Sequence, residues 1–144
     1  MEKSRVLFLC TGNSVRSQMA EAFLSKYAGE RFEAHSAGLE PKTLNPLTVM
    51  EEAGFDLAGH RSKWIDEYLG KVHFQYLITV CDAADKNCPS FWPGVNQRMH
   101  WSSEDPAKFK GTDEEKLARF RQVRDLISAK IKAWLAEQNI PAAE

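Results

Sequence analysis

Val6-Leu7-Phe8-Leu9 is an apolar run with no polar alternation. A run this short and continuous reads as a strand covered on both faces. That one feature constrains the chain most, because a doubly covered strand belongs inside a sheet flanked by helices. The run ends at Cys10, and Thr11-Gly12-Asn13-Ser14-Val15-Arg16-Ser17 follows directly. Strand, glycine turn and helix start therefore fall within a few residues of one another.

The rest of the pattern alternates strand and helix. Met19, Ala22, Phe23 and Tyr27 share a helical face between Ser14 and Gly29. Phe32 to Ala37 is a second strand, closed by Gly38. Asn45-Pro46 opens a helix through Ala53, with Gly54 as its cap. Ser62 caps a third helix over Lys63 to Leu69. Phe74 to Val80 is the strongest strand, rich in β-branched and aromatic residues. Gln97 to Trp101 is a fourth. Thr112 and Glu115 have capping-box spacing. Leu117, Phe120, Val123, Ile127, Ile131 and Trp134 then recur at helical intervals, and the chain after Ala136 is expected to fray. Such alternation implies crossover connections and an α/β fold. The expected architecture has three layers: a four-stranded parallel open sheet with helices on both faces. Its 144 residues suit a single domain, 1–144. Open parallel sheets bind ligands beyond the carboxyl ends of their strands. Cys10, Cys81 and Asp105 are all expected on that rim.

Composition excludes several classes. A net charge of −1 gives no global attraction to nucleic acid or to an anionic membrane. No apolar run approaches a membrane span or a signal-peptide core, so a cytoplasmic location is expected. Three cysteines do not make a secreted disulfide framework. The spacing of Cys and His residues fits no zinc site. His35, His60, His73 and His100 read as structural or solvated.

Cys10 to Arg16 has the form C-x5-R, with Ser17 next. A loop between a buried strand and a helix start aims backbone N–H groups inward. Gly12 and Asn13 tolerate the left-handed angles that a tight loop needs. Thr11, Gly12, Asn13, Ser14, Val15, Arg16 and Ser17 thus form a candidate nest for a tetrahedral anion. Arg16 adds a bidentate grip on two of its oxygens. Cys10 lies beneath the central atom as a nucleophile, its thiolate stabilised by the same N–H groups, the helix dipole and the Ser17 hydroxyl.

CTGNSVRSQMAEAF, with Ser36-Ala37-Gly38 and Asp105-Pro106, resembles the low-molecular-weight protein tyrosine phosphatase superfamily. Within it, the chain is most similar to the thioredoxin-coupled arsenate reductases. The likeness runs from about Val6 into the last helix. It implies that Asp105 is the general acid for the departing oxygen. It also implies a redox role for Cys81 and Cys88, which flank Asp82-Ala83-Ala84-Asp85-Lys86-Asn87 and match the family's cysteine spacing. A phosphatase needs only the first cysteine; a reductase must supply two electrons, and neighbouring thiols supply them.

The implied cycle starts with attack of Cys10 on arsenate. Cys81 then attacks Cys10, releasing arsenite, and Cys88 attacks Cys81. The resulting Cys81–Cys88 disulfide is passed to thioredoxin. Its Cα atoms must come within about 7 Å, so a helical 82–88 segment would have to rearrange. Phosphate or sulfate would compete with arsenate. No tightly bound cofactor is implied, and the protein is expected to be a monomer. Asn13, Glu21, Ser36 and Asp66 match positions that hold a monovalent cation, such as potassium, in some relatives. The same oxygens would equally serve a hydrogen-bond network.

Two departures are informative. Val15 stands where many close reductases carry a further cysteine, leaving three thiols for the relay. Ala107 follows Pro106 where phosphotyrosine phosphatases keep a tyrosine, which weakens the alternative of a phosphatase acting through a Cys10 phosphoenzyme. Trp92 and Trp101 are possible aromatic substitutes, although Trp101 reads more simply as core. A non-catalytic phosphate sensor is a third alternative, but it would need the nest without the nucleophile or acid.

Overall fold

The computed structural model describes residues 3–10, 16–38, 48–55, 63–68, 71–80, 95–101, 106 and 109–143. Four strands, β1 (Ser4–Cys10), β2 (Phe32–Gly38), β3 (Phe74–Thr79) and β4 (Val95–His100), form one sheet in the order β2-β1-β3-β4. Every pairing is parallel. The apolar run at the start of the chain is therefore the inner strand expected of it, and Val6, Leu7, Phe8 and Leu9 have no exposed surface.

Helix α1 (Arg16–Ala28) follows β1, and the long helix α3 (Asp113–Glu137) packs beside it. The sequence pattern assigns α1 one apolar face. In the structure the helix is buried almost all round, with Ser17, Gln18, Met19, Ala20 and Leu24 fully covered. It is wedged between the sheet and α3, so even its small and polar residues meet neighbours. Helix α2 (Thr48–Glu52) is closed by Gly54, whose φ of +90° suits a residue without a side chain. Phe55 then packs edge-on against Phe23 of α1, at 5.0 Å.

Of the expected α3 stripe, Val123, Ile127, Ile131 and Trp134 are buried and Leu117 and Phe120 half-buried; Leu135, outside the expected stripe, is buried as well. Trp134 meets Phe32 at 5.2 Å, Tyr76 at 5.1 Å and Trp101 at 5.8 Å. Trp101 also lies 6.1 Å from Phe8, so its role as core holds. The expected capping box is formed: Glu115 N–H donates to Thr112 Oγ1 at 3.1 Å, and Thr112 N–H to Glu115 Oε1 at 3.2 Å.

Two local expectations are corrected. Lys63–Leu69 does not form a helix from its first residue. Gly38 N–H donates to the Lys63 carbonyl at 2.8 Å, and Gly38 bridges Trp64 in parallel fashion. Residues 63 and 64 thus extend the pairing of β2, and Trp64 has extended backbone angles. Among the described residues, a 3-10 turn, Ile65–Glu67, follows. Behind it, Tyr68 packs with His35 and Phe74, on the side of β2 opposite Ser36. Nor does the chain fray after Ala136. Helix α3 runs to Glu137, Ile140 and Ala142 pack against the core, and Ala143 N–H donates to the Tyr27 carbonyl at 2.9 Å.

Candidate active site at the carboxyl end of the sheet

The strand ends are level. Cys10 closes β1 opposite Gly38 of β2. On its other side, Val80 N–H donates to the Leu9 carbonyl at 2.9 Å, and Trp101 N–H donates to the Thr79 carbonyl at 2.8 Å. Chain order thus brings Val80, the residue before Cys81, beside the residue before Cys10. Pro106, which follows Asp105, is buried.

Cys10 is buried and in no disulfide. Its Sγ lies 2.9 Å from Ser17 Oγ, in the first turn of α1. A hydroxyl at this distance donates to a thiolate, and a hydrogen bond to a charged acceptor is stronger than a neutral one. The N-terminus of α1 adds a partial positive charge on the same side. Arg16, first residue of that helix, is only 9% exposed. Arginine is seldom so covered, because its five N–H donors each require an acceptor. The Cys10 thiol, the Ser17 hydroxyl and a buried arginine thus come together at one helix N-terminus. That arrangement suits a nucleophile attacking the central atom of a bound oxyanion.

Next to this group lies a polar cluster. Ser36, fully buried in β2, donates to Glu21 Oε1 at 3.0 Å. Glu21 stands one helical turn beyond Ser17 on α1. Lys63 Nζ donates to Ser36 Oγ at 3.4 Å and lies 3.6 Å from Glu21 Oε1. Of the three described cation-site candidates, the structure joins Glu21 and Ser36. Asp66 lies on the 3-10 turn, beside a shallow depression shared with Trp64, Glu67 and Lys71. Lys63 carries no signal in the sequence, where it reads as the start of a helix.

The histidines that are described fit structural or solvated roles. His100 Nδ1 lies 2.8 Å from the fully buried Thr79 Oγ1. His35 contacts Glu33 and Tyr68, and His73 is exposed. Among the described residues, no group of His, Cys, Asp and Glu is arranged to hold a metal ion. No described helix is long and apolar enough to cross a membrane. Thr11, Gly12, Asn13, Ser14, Val15, Cys81, Cys88 and Asp105 lie outside the described residues, as do His60 and Trp92.

The model of the low molecular weight phosphotyrosine protein phosphatase family matches residues 5–142. An arsenate reductase of Bacillus licheniformis is 48% identical over 138 residues, covering 93% of this chain and 96% of that protein. A solved arsenate reductase in its phosphate-binding state superposes with a TM-score of 0.76 at 30% identity, covering 93% of this chain and 98% of the other. The thioredoxin-dependent arsenate reductase of Corynebacterium glutamicum gives a TM-score of 0.68 at 26% identity, over 95% of this chain and 63% of that one.

Proposed function

Because the chain belongs to the low molecular weight phosphotyrosine protein phosphatase family, we propose that it reduces arsenate to arsenite, with Cys10 as nucleophile and thioredoxin as the final reductant. The observation that carries the reading is the buried Cys10 sulfur, 2.9 Å from Ser17 Oγ at the start of α1. It fits a sulfur nucleophile with a hydroxyl placed to donate to it. The choice of reduction over hydrolysis is supported by the near-half identity to an arsenate reductase and by two further cysteines, Cys81 and Cys88.

In this reading, Thr11 to Ser17 cradle arsenate and Arg16 holds two of its oxygens. The Cys10 thiolate attacks arsenic. An oxygen leaves as water after Asp105 protonates it, and a thiolate–arsenic(V) adduct remains. The Cys81 thiolate then attacks the Cys10 sulfur. The Cys10–arsenic bonding pair stays with arsenic, which departs as arsenite, and a Cys10–Cys81 disulfide forms. Cys88 attacks Cys81, restoring the Cys10 thiolate. Thioredoxin reduces Cys81–Cys88. Phosphate, of the same tetrahedral shape, competes for the cradle.

The test is a paired assay. The purified protein is given arsenate, thioredoxin, thioredoxin reductase and NADPH, and NADPH loss is followed; hydrolysis of an aryl phosphate is followed in parallel. Arsenate-dependent NADPH turnover with weak hydrolysis is expected. Strong hydrolysis without NADPH turnover would assign a phosphatase, and neither activity would assign an oxyanion sensor.

A further inference from the structure

We infer that the Lys63 ammonium is a built-in cation of the Glu21–Ser36 cluster, in place of the monovalent metal ion that the resemblance implies for those oxygens. The oxygens of Glu21 and Ser36 do not fit a metal ion here. Lys63 Nζ lies 3.4 Å from Ser36 Oγ and 3.6 Å from Glu21 Oε1. A metal ion sharing those two oxygens would sit against a fixed positive charge and be repelled. Both charged side chains are well covered, with 12% of Lys63 and 14% of Glu21 exposed, so water screens the repulsion little.

The lysine is held from its backbone as well as from its head. Its carbonyl accepts from Gly38 N–H at 2.8 Å, and Gly38 is the residue that pairs with Cys10. Its ammonium reaches Glu21 on α1, one turn beyond Ser17, which touches the Cys10 sulfur. Lys63 therefore joins the end of β2, the first turns of α1 and the approach to the 3-10 turn around the nucleophile. Its described contacts are to Glu21, Ser36 and Gly38. It is a positioning residue, and its charge replaces an ion that would otherwise have to be recruited from solution. The inference goes beyond the proposed reaction and holds whichever oxyanion the site processes.

Thermal melting and arsenate kinetics of the wild type, Lys63→Met and Lys63→Arg test it, in KCl and in choline chloride at about 0.15 M, where ionic screening is matched. An ion that binds only the folded state raises the melting temperature. The wild type is expected to melt within about 1 °C in the two salts, because its cation is covalent. Lys63→Met is expected to melt lower in choline and to regain at least half of that loss in KCl. Its kcat/KM should fall about tenfold in choline and recover with potassium, a shift of about one tenfold step in transition-state stabilisation. Lys63→Arg should stay indifferent to potassium. If Lys63→Met does not fold, Glu21→Gln/Lys63→Met, which removes both charges, replaces it and should melt equally in both salts. Stabilisation of the wild type by potassium over choline, of several degrees, would overturn the inference. So would a Lys63→Met protein as stable and as potassium-indifferent as the wild type. Melting reads the cation's role even in a protein that reduces no arsenate.

Discussion

At the scale of single residues, the described contact that bears on the thiol is the one from Cys10 to Ser17. Hydrogen bonds to a charged group contribute about 1.5–3 kcal/mol. Ser17→Ala is therefore expected to lower kcat/KM for arsenate by about tenfold or more. An unchanged kcat/KM would remove the Ser17 hydroxyl from the account. Arg16→Lys keeps the charge but loses the planar fork, so KM for arsenate should rise well beyond any fall in kcat. Cys10, Arg16 and Ser17 were legible in the sequence because their relation is local: a strand end and a helix start fix it within a few residues. Lys63 was not. Its partner Ser36 is 27 residues away, and the bridge of Gly38 to Trp64 that aims it has no local pattern.

At the scale of elements, helix α3 is both the easiest to read and the simplest to test. Thr112→Ala removes the cap, and urea unfolding should show a loss of about 1 kcal/mol. Helix α2 is clamped to α3 by Glu52, which accepts from Arg121 at 2.7 and 2.9 Å and lies 3.6 Å from Arg124. The Arg121 hydrogen bonds hold the Glu52 carboxyl below its ordinary value of 4.5. Glu33 is likewise held low, by His35 and then Arg5. A depressed carboxyl stabilises the fold above its unfolded value and ceases to do so as pH falls through its folded one. Stability should thus decline as pH drops below about 4.5, and less steeply in Glu52→Gln than in the wild type. An identical slope in that variant would remove Glu52 from the account. Strands β1 and β3 were legible from their apolar residues, whereas β4, VNQRMH, has no such run and starts two residues before the expected Gln97. The helix expected over 63–69 was misread because Lys63 and Trp64 are used as an extension of β2 instead. The tail was misread because its anchors, such as the Tyr27 carbonyl, lie far back in the chain.

At the scale of the whole molecule, the order β2-β1-β3-β4 makes β1 and β3 the two inner strands. Their carboxyl ends bring Cys10 and Val80 to one level, on a base set by Phe8, Trp101 and Trp134. Trp134→Ala opens that aromatic cluster and should cost about 3–5 kcal/mol in denaturant unfolding. The parallel sheet, though not the order of its strands, followed from strand–helix alternation, because right-handed parallel crossovers leave few alternatives. The separation of reductase from phosphatase rests on Cys81 and Cys88 and on relatives of the whole chain, not on the site around Cys10. A single-turnover experiment addresses that separation most directly. Reduced protein is mixed with excess arsenate without thioredoxin, quenched with acid, and assayed for arsenite and for disulfides by peptide mass mapping. The account predicts one arsenite per protein and a Cys81–Cys88 disulfide in the wild type. In Cys88→Ser it predicts the same arsenite with the disulfide arrested at Cys10–Cys81. Absence of arsenite, with all three thiols still reduced, would contradict it.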